Sequence, residues 1–158
     1  MSADADEARE LLRAARTGTL ATLLPGGAPY ASLVTLAAGA DGAPLFLLSR
    51  LALHTRNLAR DPRASLLLRS EAGSDEDALA GTRVSLIGRI AASADEPGDR
   101  ERFLAAHPEA AAYAGFADFS LYVMTVERAH LIAGFGRIVD IPGTELAGRR
   151  PPAAPADR

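Results

Sequence analysis

The feature that most constrains this chain is a series of six apolar runs, each of strand length. They are TLATLL (19–24), YASLVTLAA (30–38), LFLLS (45–49), ASLLLRS (64–70), TRVSLIGRIAAS (82–93) and FSLYVMTVERAHLIAGF (119–135). The turn PGGAP separates the first two, and Gly39 to Gly42 the next pair. Connections this short join antiparallel neighbours, because a parallel pair needs a crossover of a dozen or more residues. A sheet of such strands exposes unpaired edges unless it curls on itself. The pattern predicts a mainly β fold, a small β-barrel with peripheral helices. The last run reads either as two strands joined by a tight turn near Glu127 or as one long bent strand.

Helical signals are few. ADEARELLRAAR (5–16) has acids early and arginines late, in accord with the helix dipole. DEPGDRERFLAAH (95–107) predicts a second helix with His107 as its C-terminal capping residue, and PEAAAYAGF (108–116) a helix or turn. Residues 70–81 read as an acidic loop. Residues 144–158 are rich in Pro and Ala without periodicity, so a mobile tail is expected behind a single domain spanning 1–143.

Composition removes whole classes of chemistry. With 158 residues, one domain can bury a real core. Cysteine is absent, which excludes disulfides, thiolate catalysis and cysteine-ligated metal. All 17 basic side chains are arginine, so no lysine Schiff base can form. The formal charge of −3, the lack of tryptophan and the lack of an arginine cluster with interleaved aromatics predict no nucleic-acid partner. No run approaches the length of a membrane span, and the acidic N-terminus has no apolar signal region, so a cytoplasmic protein with no membrane contact is expected. His54, His107 and His130 lack metal-ligand spacing, and no HExxH, GxSxG, Walker A or strand–GxGxxG–helix motif is present. AGFGR (133–137) does not have the spacing of a phosphate loop.

One polar segment lies between two dry strands. In residues 50–60, Leu51, Ala52, Thr55, Leu58 and Ala59 make an apolar helix face, while Arg50, His54 and Asn57 share another. Ser49 stands in N-cap position and Pro62 limits the far end. A helix N-terminus offers free N–H groups to an anion, so Ser49, Arg50, His54 and Thr55 are candidates for holding a phosphate. A solvated connecting helix would show the same pattern. Ser32 and Thr35 point to opposite faces of their strand. Arg83, Ser85 and Arg89 share one strand face, suited either to solvent or to an anion.

The blocks LLSRLALHTRNLARDPRASLLL, GTRVSLIGRI, RFLAAHPEAAAYAGFADFSLYVM and ERAHLIAGFGRI, in this order, resemble the pyridoxamine 5'-phosphate oxidase-like family of FMN-binding split barrels. Within it they are most similar to the subgroup that includes the haem-utilisation proteins, over roughly residues 8–139. The resemblance implies a six-stranded antiparallel split barrel that forms a homodimer, with flavin sites at the interface and a small-molecule substrate. It implies FMN as cofactor and an FMN-dependent oxidoreductase as activity. Haem binding or degradation, or a flavin-free binding module, are the alternatives on the same fold. Ser32, Leu33, Val34 and Thr35 would line the flavin, and Leu47, Leu48 and Ser49 would end a strand against it. Leu53, His54 and Thr55 fall where the family binds the FMN phosphate, Asn57 lies one turn on, and Arg83 falls on a flavin-contacting strand. The oxidase itself carries arginine at the position of Ser32 and lysine at that of His54, which turns the expectation away from pyridoxamine phosphate oxidation. The haem-degrading members use a C-terminal histidine, and no histidine follows His130 here. No residue stands out as a general acid or base.

Overall fold

The computed structural model describes residues 2–70, 77–134 and 136–147. Helix α1 (Ala3–Ala14) starts earlier than its charge pattern predicts because Ser2 caps it, its Oγ accepting from Ala5 N at 3.1 Å. The chain continues through β1 (Thr17–Leu23), β2 (Pro29–Thr35), β3 (Ala37–Ala38), β4 (Pro44–Ser49), α2 (Leu53–Arg60), β5 (Arg63–Arg69) and β6 (Arg83–Ala92). It ends with α3 (Glu96–Ala106), a 3₁₀ turn, α4 (Ala111–Ala114), β7 (Phe119–Ala133) and β8 (Arg137–Pro142).

The strands form one curled antiparallel sheet in the order β2-β1-β5-β6-β7-β4-β3, with β8 also paired to β7. Strand β7 divides it. One edge of β7 meets β6 along most of its length, while the other meets β4 near Phe119–Val123 and β8 from Arg128 to Ala133. This is a mainly β split barrel with peripheral helices: the run pattern predicts the barrel and its helices, and the family resemblance implies its split form.

The strand count differs from the predicted six: eight strands form among the described residues. Run 30–38 breaks at Leu36, whose N–H goes to Arg16 O at 3.1 Å instead of a strand ladder and whose side chain is fully buried. Ala37 and Ala38 then pair with β4. The added strand is β8, reached through a turn in which Gly134 and Gly136 have φ of 61° and 85°. That region is strained for residues with a side chain, so Gly134 and Gly136 let the chain turn from β7 back into β8.

The run from 119 forms one long bent strand. Ile87 pairs with Arg128 and Gly88 with Val126, so Glu127 is the extra residue of a β-bulge. Gly88 permits it, since a Cβ there would overlap Thr125 O.

Strand β4 explains why LFLLS is apolar throughout. Phe46 and Leu48 face the barrel core with Leu20, Leu66, Leu86 and Met124, which α1 covers through Ala8 and Leu12. Leu45 and Leu47 face a second cluster with Leu121 and with Phe103 of α3. His107 is the C-cap of α3, as predicted, and its buried ring also places Nε2 2.7 Å from Leu36 O.

Packing extends beyond the expected domain end at Gly143. A 3₁₀ turn covers Gly143–Glu145, and Leu146, only 2% exposed, joins the barrel core. The remainder of the expected tail, 148–158, and residues 71–76 of the acidic loop lie outside the described residues.

Candidate functional site

Helix α2 is shorter than its periodicity suggests, and Ser49 is not its N-cap. The cap is Ala52, which has no side chain able to accept a bond. Ser49 is occupied elsewhere: its Oγ donates to Asp118 Oδ2 at 2.6 Å and accepts from Leu51 N at 3.1 Å. The first helical bond runs from Arg56 N to Ala52 O at 3.1 Å. The N–H groups of Leu53, His54 and Thr55 therefore have no helical acceptor. No acidic residue occupies the first turn, so the positive end of the dipole is uncompensated there. Thr55 is 3% exposed, and its Oγ1 is buried with no hydrogen-bond partner. A buried hydroxyl left this way costs about 1–3 kcal/mol, which marks the helix start as incomplete.

His54 lies half-buried beside this N-terminus with Nδ1 3.3 Å from Ser32 Oγ on β2. Burial pushes its pKa below the ordinary 6.5. At neutral pH the imidazole is uncharged, so it meets an anion as a hydrogen-bonding group and not as a cation. Asn57, by contrast, is fully buried and already satisfied: it donates to Thr22 Oγ1 at 3.1 Å and accepts from Arg60 Nη2 at 3.0 Å.

The outer face of the sheet carries a different constellation. Strand register aligns Leu33, Thr19, Leu67, Ser85, His130 and Asp140 in one row across β2, β1, β5, β6, β7 and β8. Directly opposed residues share a face, so these side chains are on one side of the sheet. Leu33 is 76% exposed and Leu67 46%. His130 Nδ1 is 2.9 Å from Asp140 Oδ1. In the adjacent row Arg69 opposes Arg83, and Arg83 opposes Ile132, which opposes Ile138, itself 62% exposed. Arg83 Nη1 donates to Leu79 O at 2.8 Å. A cleft of about 480 Å³ near Arg9, Arg13, Ala38 and Arg102 contains none of these groups. A second cleft of about 380 Å³ beside α1 includes Arg69 with Glu7, Leu11 and Thr17, while Leu33, Leu67, Arg83, His130 and Asp140 line neither of these clefts.

The sequence model of the pyridoxamine 5'-phosphate oxidase family matches residues 5–133. The chain belongs to that family. It is 32% identical over 133 residues to the non-canonical haem oxygenase HOZ, chloroplastic, of Arabidopsis thaliana, covering 82% of this chain and 40% of the plant protein. It also matches the structure of a haem-binding protein from Mycobacterium smegmatis with a TM-score of 0.86 and 36% identity, over 92% of this chain and 60% of that one. Campylobacter jejuni ChuZ shares the fold with a TM-score of 0.77 at 15% identity, over 97% of this chain and 65% of that one. The chain thus spans about 40% of the plant relative's length and 60% of the mycobacterial one.

On this pyridoxamine 5'-phosphate oxidase barrel the sequence-predicted residues fall into three groups. Ser32, Leu53, His54 and Thr55 gather at the start of α2. Leu33, Thr35 and Arg83 lie on the outer face. Val34, Leu47, Leu48 and Asn57 are buried in the protomer, and Ser49 is tied to Asp118. Sequence reasoning missed Asp118 and the His130–Asp140 pair. The pair was legible in principle: the glycines of AGFGR followed by RIVDIP signal a hairpin that returns Asp140 to His130.

Proposed function

We propose that this protein binds haem as a homodimer, with each site shared between two protomers. The observation that carries the reading is that both relatives above 30% identity described above are haem proteins by name, one a haem oxygenase and one a haem-binding protein. The residues present fit the group. Haem joins a broad apolar macrocycle to two carboxylates, and the outer face offers Leu33, Leu67, Ile132 and Ile138 beside Arg69 and Arg83. The open N-terminus of α2, with the unpartnered Thr55 Oγ1, supplies a further place for an anionic arm.

The exposed apolar face supports a second copy in this arrangement. Exposed Leu33, Leu67 and Ile138 lie on one face of the sheet, and covering them requires a partner surface. Bound haem would supply a redox-active iron. The chain's own contribution is to orient that group, to hold its carboxylates through Arg83 and Arg69 of one protomer and the α2 N–H groups of the other, and to exclude water once the dimer closes. His54 stays neutral there and hydrogen-bonds without adding charge.

A specific feature favours FMN as a second reading. The family resemblance implies that Leu53, His54 and Thr55 meet the FMN phosphate, and these residues form the uncapped start of α2. In that case the activity is an FMN-dependent oxidoreduction of a small substrate. Adding ferric haem and FMN separately to the purified protein decides between them. A Soret band shifted from free haem, with light scattering showing dimer, supports the first reading. Tight FMN binding with at least about tenfold preference over riboflavin, and no haem uptake, supports the second. A protein that takes up neither is a binding module of another kind.

A further inference from the structure

We propose that His130, oriented by Asp140, is the axial ligand of the haem iron. The inference rests on the haem reading above and deepens it. Each histidine can be judged by what its ring nitrogens already do. His107 is closed: it is 2% exposed, with Nε2 2.7 Å from Leu36 O and Nδ1 3.3 Å from Glu109 Oε1. His54 is half-buried on the opposite side of the sheet, in contact with Ser32. His130 remains, with 41% of its side chain exposed on the outer face.

The His130–Asp140 contact has the arrangement that prepares an imidazole for metal. Nδ1 is 2.9 Å from Asp140 Oδ1, so the proton resides on Nδ1 and the Nε2 lone pair is the one presented outward. A carboxylate in this position fixes the tautomer, sets the ring orientation and raises the basicity of the ligating nitrogen. As an exposed hydrogen bond it contributes little to stability, since both partners remain open to water.

The surroundings match the remainder of a haem. Ser85 faces His130 from β6, and Leu67 lies beyond it in the same row. Arg83 is one step diagonal from His130 on the same face, and Arg69 opposes Arg83. Ile132 and Ile138 complete the apolar ground. A donor nitrogen, two guanidinium groups and apolar side chains therefore share one surface, which an iron-bearing dicarboxylate macrocycle uses together.

The test is titration of the full chain with ferric haem, read by visible and electron paramagnetic resonance spectra. The wild type is expected to show nitrogen ligation. His130→Ala should lose that signature and bind at least about tenfold more weakly, and added imidazole should restore the signature. Asp140→Asn should retain ligation with affinity lowered by about tenfold or more, because the ring loses its orienting carboxylate. His54→Ala should leave the ligation signature intact. Loss of the signature in His54→Ala instead would place the ligand beside α2 and overturn the proposal. Circular dichroism on each variant confirms the fold. If wild type binds haem and His130→Ala keeps the nitrogen signature, His130 is not the ligand while the haem reading stands. If wild type takes up no haem, both fall.

Discussion

Helices α2 and α3 each follow a strand of the same sheet, yet their N-termini are built in opposite ways. At α3, Asp95 caps the helix by accepting from Gly98 N, and Glu96 and Asp99 place negative charge in the first turn. Its far face buries Phe103 completely. At α2 the cap is Ala52, the first turn has no acid, and Thr55 Oγ1 is buried without a partner. The contrast separates a helix whose polar needs are met by its own residues from one whose needs are left open. The first is scaffold, and the second is where a ligand has something to satisfy.

The largest expected effect lies on the scaffold side. Phe103→Ala should destabilise the protein by about 3–5 kcal/mol in denaturant unfolding, because it empties the cluster with Leu45, Leu47 and Leu121. Ligand affinity under native conditions should hardly change. A variant that unfolds normally but loses ligand would erase the distinction between the helices.

Thr55→Val is expected to act in the opposite direction. It keeps the shape and removes a buried hydroxyl with no partner, so the ligand-free protein should gain about 1 kcal/mol. Affinity for the anionic ligand should fall several-fold. A stability loss in this variant would show that the hydroxyl has a partner in solution.

The caps sharpen the contrast further. Asp95→Ala should cost about 1 kcal/mol and leave binding untouched. Ala52→Asp should stabilise the free protein by about 0.5–1 kcal/mol and weaken the anion, since the new carboxylate competes for the same N–H groups. If both substitutions shift binding equally, α2 is no more a site than α3.

The smallest effect is the pH response of His54. Its folded pKa is lowered by burial from 6.5, so the unfolded chain takes up the proton first. Stability from this group is complete above pH 6.5 and declines as pH falls towards the lower folded pKa. Melting temperatures measured from pH 8 to pH 5 should therefore drop less in His54→Gln than in the wild type. Parallel curves would place the acid sensitivity elsewhere.

What the residues determined alone was the class of fold. Alternating and fully apolar runs, short Gly- and Pro-bearing turns and two charge-patterned helices specify an antiparallel β domain because those signals act between near neighbours. LFLLS is legible as a strand buried on both sides for the same reason. Three things needed the tertiary structure. The break at Leu36 arises because its N–H bonds to Arg16 O across the fold, which no local pattern encodes. Ser49 looks like a helix cap until Asp118, distant in sequence, claims its hydroxyl. The outer-face row from Leu33 to Asp140 joins residues of six strands, and only the hydrogen-bonded register brings them side by side. Local propensity and periodicity shape each element, whereas a site assembled from separate strands exists only once long-range pairing has set which side chains share a face.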